Sequence, residues 1–477
     1  MLFNSIQYAV FLPAFFAAYW LMEDKYRNVF ILVASYFFYM CWNVKYGLLI
    51  LGVSLTAYIV GLMVELNRTK KKAILAVGII IILSVLAYFK YFNFLLNNLY
   101  AVCDVFSVDI EHKFYSIVLP VGISFFSFQA MAYMIDCYRG EVTAERNIVD
   151  FLAFISFFPQ LVAGPIERTK NLLPQIKRSK QFNYLQATSG MKIMVVGFFK
   201  KLVVADVLSV YVDRVFGSIT SYSGFALVIA AFFFTLQIYC DFSGYSDIAI
   251  GSARILGINL MDNFRNPYFA TSIHDFWSRW HISLSTWFKD YVYIPLGGNR
   301  KGKIRKNLNT LITFVVSGLW HGADWSFVVW GGYHGLGQII ENCFAPQAKS
   351  EKKTAGLHMI KTLAVFIFCM VGWVFFRAKN ISDSTYWFKN CLAGITNPIT
   401  YVNSGISSVG LGGLSMVSIT FSLVILFSVE LISYRWGLIN WINARQKLTR
   451  YLLYATFLLV IIFFQASEPA TFVYFQF

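Results

Sequence analysis

Charge is scarce in this sequence. Only 13% of its 477 residues are Asp, Glu, Lys or Arg. A soluble domain carries about 25%, so a globule with an ordinary water-facing surface is excluded. Ligand-spaced cysteines are missing too. The seven cysteines include no C-x-x-C pair and mostly sit in apolar runs, so neither a redox pair nor a zinc site is expected. No internal repeat is visible, which argues against a transporter built from repeated halves. The first apolar run, "MLFNSIQYAVFLPAFFAAYWLM", has no basic leader and no small-residue cleavage pattern; it reads as a retained span.

What fills the chain is apolar and aromatic, 58% and 18% of the residues, with a mean hydropathy of +0.59. Several runs approach the ~20 residues a helix needs to cross a bilayer. The chain therefore reads as an all-α polytopic membrane protein with about 11–12 transmembrane helices.

Lysine and arginine outnumber aspartate and glutamate by 40 to 24, a net charge of +16. That surplus suits nucleic acid, but its distribution does not. The cations collect in short linkers between apolar runs, at 65–72, 167–180, 299–306, 347–361 and 435–450, as cytoplasmic loops do. The neutral or acidic linkers fall to the outer side: 96–113, the "HGAD" turn at 321–324 and the tail "SEPATFVYFQF" at 467–477. Membrane lipid, and not nucleic acid, is the expected surrounding partner.

A single transmembrane domain over 1–466 and an extracytoplasmic tail at 467–477 account for this pattern. The run 114–134 reads as a full crossing, whereas 190–215 is ambiguous because Lys200, Lys201, Asp206 and Asp213 interrupt it. Two further segments do not read as crossings. Residues 150–166 carry Pro159, Gly164 and Pro165, and 275–298 mix aromatics with Arg279, His281, Lys289 and Asp290. Irregular backbone at membrane depth is tolerated only where protein or a water-filled cavity surrounds it. Two re-entrant or tilted elements therefore imply a cavity within the bilayer.

Ionisable groups inside a membrane are costly, and each is a functional candidate by default. His321, in "SGLWHGADWSFVVWGGYHG" (317–335), sits at the outer end of a hairpin, flanked by Trp320 and Trp325, with Gly318 and Gly322 permitting close backbone approach. An imidazole there can take and return a proton; the plainer reading is an interfacial histidine in an aromatic belt. His281 lies in "RWHISLS", seven residues after His274, a spacing that puts both on one helix face. No carboxylate or cysteine stands at ligand spacing, so no metal is expected. His334 and His358 read as structural.

At this point the segments become recognisable. "DFWSRWHISLSTWFKDYVYIPLGGNRKG" (275–302) followed by "NTLITFVVSGLWHGADWSFVVWGGYHG" (309–335) closely resembles the membrane-bound O-acyltransferase (MBOAT) family, in its branch for bacterial alginate, peptidoglycan and cellulose O-acetylation. "LPVGISFFSFQAMAYMIDCYRGE" (119–141), "FFPQLVAGPIER" (157–168) and "YCDFSGYSDIAIG" (239–251) match as well, so the resemblance covers most of the chain. It implies the MBOAT fold, a ring of helices around a central channel, with His321 as the catalytic histidine and His281 as the second active-site histidine. The tail resembles the Phe-x-Tyr motif of these systems at Phe472, Tyr474 and Phe477, which suggests Tyr474 as a transient acyl carrier. Gln129, Gln160, Arg168, Asp241, Ser243, Arg279 and Trp320, in matching motifs, are candidates for lining or bracing the channel.

The expected reaction follows. A thioester donor such as acetyl-CoA is cytoplasmic, and carrying its phosphates through hydrocarbon is prohibitive. Passing only the acetyl group through a channel avoids that cost. No cofactor is expected; acetyl-CoA is a co-substrate. Its phosphates are drawn to the basic linkers 167–180 and 299–306. Eight extended residues reach roughly 25 Å, enough for the tail to enter the channel. The acetyl group would then pass to an extracytoplasmic SGNH-type acetyltransferase and on to a cell-surface polysaccharide, from a bacterial cytoplasmic (inner) membrane. D-alanyl or other acyl transfer on the same fold, and a glycan or lipid transporter, are the alternative readings.

Overall fold

The computed structural model describes residues 1–162, 164–344, 355–467 and 470–475. Residues 347–354 of one basic linker, and Phe477 of the tail motif, lie outside them. Every regular element among the described residues is helical. Six helices are long and apolar enough to cross a membrane: Val44–Leu66, Lys71–Val105, Phe225–Ile255, Gly356–Arg377, Gly413–Trp436 and Lys447–Phe464. The protein is a multi-pass, all-α membrane protein. Other expected spans are also helical, but shorter, such as Ile6–Leu21, or charged in their first turns, such as Gly302–His321 with Lys303, Arg305 and Lys306.

The chain divides into two compact units, 1–191 with 249–261, and 192–248 with 262–477. In the first, Ile123–Arg139 is buried on nearly every side. The Val44–Leu66 and Lys71–Leu86 helices pack on it through glycines: a Cβ at Gly61 would strike the Tyr133 ring, and one at Gly78 would strike Val60 and Met134. This helix corrects the 114–134 expectation. It begins only at Ile123, because Pro120 lacks an N–H and Gly122 adopts φ +76°, a region open chiefly to glycine. The 150–166 segment is broken as expected, into Ile148–Ser156 and Phe158–Leu161.

In the second unit the ambiguous 190–215 run is helical, with a π-helical turn at Phe199–Ala205. Gly197 and Gly244 let this run and the Phe225–Ile255 helix touch backbone to backbone, since a Cβ on either would lie within 2.8 Å of the other's carbonyl oxygen. Burial separates the helices of this unit by role. Phe225–Ile255 is 78% buried over its apolar window and forms the centre, whereas Lys447–Phe464 is 6% buried and presents its surface outward.

Candidate active site

The Gly302–His321 helix ends at His321 because Gly322 leaves helical geometry. The chain turns at once, and the Asp324 carboxylate accepts the Ser326 N–H at 2.8 Å, opening Trp325–Phe344. The two helices close tightly because a Cβ at Gly318 would collide with the Phe327 carbonyl, and one at Gly331 with that of Phe314. Close packing through small residues is the usual means of joining helices in lipid. His321 is thereby fixed at the turn, 4% exposed.

His281 lies at the break between Ile273–Arg279 and Ile282–Phe288, with φ +42° and ψ +53°. This corrects the expectation that His274 and His281 share a helix face, since the chain turns between them. His274 is exposed and His281 fully buried. The left-handed conformation is held from both sides: before it, Arg265 N–H donates to the Arg279 carbonyl at 3.0 Å; after it, Ile282 N–H donates to the Asn263 carbonyl at 2.9 Å and Ser283 Oγ to Asn263 Oδ1 at 2.6 Å. A non-glycine residue kept in this region costs about 1–3 kcal/mol, and such strain clusters at functional sites.

Tyr474 belongs to a short turn, Val473–Phe475, and the same unit brings it to both histidines. Its ring centre lies 5.6 Å from that of His321 and 6.4 Å from that of His281. Its phenol oxygen is shielded from solvent and has no hydrogen-bond partner among the described residues. Phe242 stands 4.6 Å from both Tyr474 and His281. Trp320 stands 4.9 Å from His321 and 6.1 Å from His281, and Phe376 completes the wall at 5.2 Å from His321. Two imidazoles and a phenol thus share an aromatic chamber that excludes bulk water, where a proton moved from phenol to imidazole is not lost to solvent.

Of the other candidates, Asp241 joins this site through residue 473, whose N–H it accepts at 2.7 Å. Ser243, two residues along the same helix, is buried with its hydroxyl unpartnered among the described residues. Arg279 is paired with Asp275 at 2.7 Å and lies over Tyr434, a bracing arrangement. Gln129, Gln160 and Arg168 belong to the first unit. There the Gln160 amide donates to Gln129 Oε1 at 3.1 Å, and both glutamines donate to the Phe154 carbonyl. His334 is buried among Trp277, Trp330, Tyr333 and Phe368.

A cavity of about 460 Å³ opens between the broken 273–293 element and the hairpin. Its lining includes Ile282, next to His281, and Ser317, one helical turn before His321, with Lys289 and Lys306 as its cations. Beyond Lys306 the 299–306 linker presents Arg300, Lys301, Lys303 and Arg305, all exposed, with no carboxylate partner among the described residues. The 167–180 linker is different. Lys170 is bound to Glu141 at 2.7 Å and Lys177 to Glu145 at 2.8 Å, so much of its charge is already neutralised.

The sequence does not single out Phe242 or Phe376; Lys289 figures there only as a charge of the broken segment, Lys306 only as one cation of the 299–306 linker, and Lys201 and Asp206 only as interruptions of a span. For the last two, charge inside an apolar run was the signal.

Residues 141–380 match the profile of the MBOAT, membrane-bound O-acyltransferase, family. The chain is 40% identical over 388 residues to the probable alginate O-acetylase AlgI of Pseudomonas putida, covering 80% of this chain and 78% of that protein. It is 34% identical over 420 residues to the peptidoglycan O-acetyltransferase of Helicobacter pylori, covering 80% and 78%. A more distant match is the teichoic acid D-alanyltransferase of Streptococcus thermophilus, 30% identical over 271 residues, 52% of this chain and 65% of that one.

Proposed function

Because this chain belongs to the membrane-bound O-acyltransferase family and is an acyltransferase, we propose that it moves acetyl from cytoplasmic acetyl-CoA to an extracytoplasmic acceptor by way of Tyr474. The observation that carries this reading is the convergence of His321, His281 and Tyr474 in one water-excluded chamber. A chamber of that kind serves proton transfer between an imidazole and a phenol better than it serves passage of a polar glycan.

The chemistry runs in two transfers. His321 takes the phenolic proton as the Tyr474 oxygen attacks the thioester carbonyl. The tetrahedral intermediate collapses by breaking its carbon–sulfur bond, and the departing thiolate recovers the proton from His321. His281 donates toward the oxyanion or fixes the imidazole of His321. The products are acetyl-Tyr474 and CoA thiol. A phenol has a pKa near ~10 and a thiol near ~8.5, so an aryl acetate retains much of the thioester's transfer potential. In the second transfer a serine hydroxyl of an extracytoplasmic SGNH-type partner attacks the acetyl carbonyl, the carbon–oxygen bond to tyrosine breaks, and the phenol regains a proton.

On the donor side, the cavity of about 460 Å³ has the volume of a small-molecule site, and the unpaired cations at 300–306 suit a nucleotide's phosphates. On the acceptor side, a cell-surface polysaccharide of a bacterium, alginate or peptidoglycan in class, agrees with the names of the relatives above. The bacterial cytoplasmic membrane is the compartment that divides such a donor from such an acceptor. D-alanyl transfer stays the second reading because of the teichoic acid D-alanyltransferase match; its coverage of 52% against 80% favours acetyl.

The test is to incubate the purified protein with radiolabelled acetyl-CoA and map the label by mass spectrometry. Acetyl on Tyr474 and release of CoA are expected; a transporter would release none. Full polymer acetylation in cells carrying Tyr474→Phe overturns the carrier step.

A further inference from the structure

The segment that bears Tyr474 is not held by its aromatic rings alone. Ala466 N–H donates to the Leu202 carbonyl at 3.2 Å, the Ala470 carbonyl accepts from Lys201 Nζ at 3.2 Å, and Val473 N–H donates to Asp241 Oδ2 at 2.7 Å. Each anchor on the segment is a main-chain group, and each partner belongs to the π-helical turn or to the central Phe225–Ile255 helix. Phe472 adds a buried ring 4.4 Å from that of Tyr245.

The partners themselves form an ion cluster. Lys201 Nζ lies 2.7 Å from Asp241 and 2.8 Å from Asp206, with the three side chains 0–2% exposed. One ammonium between two carboxylates leaves an excess of negative charge. Buried charge is costly unless further donors satisfy it, and the Val473 N–H is such a donor. The segment is thus part of what balances the cluster, and an empty seat leaves Asp241 short of a hydrogen bond. The preceding residue, Lys200, also sits between two carboxylates, Asp247 at 3.1 Å and Glu430 at 3.2 Å. Glu430 in turn accepts from Asn266 Nδ2 at 2.7 Å, one residue before the Pro267–Phe269 turn that leads into the His281-bearing element.

We propose that the Lys201–Asp206–Asp241 cluster is a main-chain seat for residues 470–473, and that Lys201 and Asp241 are positioning residues that set the register of Tyr474 against His321 and His281. The proposal rests on the reading of Tyr474 as acyl acceptor for its catalytic consequence, though not for the seat itself. Because the contacts are to backbone, the seat fixes where the phenol stands without restricting what it carries. It also defines what breaks when an acetylated tyrosine leaves the chamber: the Val473 and Ala470 contacts, both reversible.

Two readouts separate the seat from the carrier. The first is hydrogen–deuterium exchange of the peptide 470–477 in lipid nanodiscs, with Val473→Pro, which deletes the donated N–H and leaves the buried ions untouched, and Val473→Ala, which keeps it. The seat predicts fast exchange in the proline variant and protection in the alanine variant. Asp241→Ala, which removes the acceptor and leaves the Lys201–Asp206 pair in place, gives the same test from the other side. The second readout is steady-state transfer from acetyl-CoA. Val473→Pro is expected to lose roughly 100-fold in kcat, the scale of a misplacement of about 1 Å, with KM for acetyl-CoA unchanged. Protection that persists in both Val473→Pro and Asp241→Ala overturns the seat. Fast exchange with undiminished transfer leaves the seat standing and removes Tyr474 from the reaction instead.

Discussion

The rings of His321 and Tyr474 stand 5.6 Å apart, centre to centre, at an interplanar angle of 51°, although 153 positions separate them in the chain. The imidazole comes from the tip of a hairpin and the phenol from a short turn that follows the last long helix. The hairpin packs against the Ala355–Arg377 helix and the broken 273–293 element, whereas the segment leading to Tyr474 is anchored to the π-helical turn and the central helix. This separation of supports means that the two groups can be removed independently without dismantling one scaffold.

His321→Ala should therefore leave an inserted, folded protein whose acetyl transfer falls by about 10²–10⁴-fold, the range for losing a general base. Tyr474→Phe should abolish labelling of residue 474 while retaining donor binding. Radiolabel transfer from acetyl-CoA, alongside size-exclusion profiles, checks both. Wild-type transfer in His321→Ala would remove the imidazole from the mechanism.

His281 permits its backbone and side-chain roles to be tested apart. At φ +42°, Asn is among the residues that tolerate the left-handed region, and β-branched residues are the poorest. His281→Asn should keep the fold and lose transfer, because the imidazole is gone and the turn remains. His281→Val should lose stability as well, by about 1–3 kcal/mol. Thermal unfolding in detergent distinguishes the two, and equal melting temperatures would show that the turn imposes no strain.

Part of this site's geometry is legible in the sequence. His321 stood out as an imidazole between tryptophans and glycines in a chain poor in charge, and the close approach expected at Gly318 and Gly322 follows from what a Cβ there would strike, the Phe327 carbonyl and the Phe327 ring. The broken 275–298 segment was legible from its mixed composition. That His274 and His281 part company is not, because a seven-residue spacing says nothing about the chain leaving the helix at Trp280 and turning left-handed at His281 itself. The Ile123 start of the 114–134 helix was missed although Pro120 and Gly122 marked it. The pairing of Lys201 with Asp241 joins residues 40 positions apart, and no local pattern reports such a pairing. Phe242 lies within the matching stretch 239–251 but nothing marks it there, and Phe376 has no signal among 48 phenylalanines.

The two basic linkers should respond differently to neutralisation. Arg300, Lys301, Lys303 and Arg305 are exposed without a carboxylate partner among the described residues, whereas Lys170 and Lys177 are already bound to Glu141 and Glu145. Glutamine at 300, 301, 303 and 305 together should raise KM for acetyl-CoA and flatten its dependence on salt, leaving kcat near its starting value. Each exposed charge is screened over about 8 Å at physiological ionic strength, so the effect grows as salt is lowered. Lys170→Gln and Lys177→Gln should change KM little. Equal effects from both sets, in rates measured from low to high salt, would show that the existing ion pairs do not decide where phosphate is drawn.

The hairpin that carries His321 offers a comparison between adjacent glycines. A Cβ at Gly331 would meet the Phe314 carbonyl and the Val315 backbone, whereas one at Gly332, the next residue, meets nothing within 4 Å. Both lie in the same helix, so intrinsic propensity favours alanine over glycine at each by about 1 kcal/mol, and only packing differs. Overpacking against backbone cannot be relieved by a rotamer change and costs about 1–3 kcal/mol. Gly331→Ala should therefore lower the melting temperature and, by prising the helices apart, shift His321 enough to reduce transfer. Gly332→Ala should leave both unchanged or raise the first slightly. If the two variants melt together, the hairpin is not held by backbone contact at Gly331, and the placement of His321 depends on the aromatic wall of Trp320, Trp330 and Phe376.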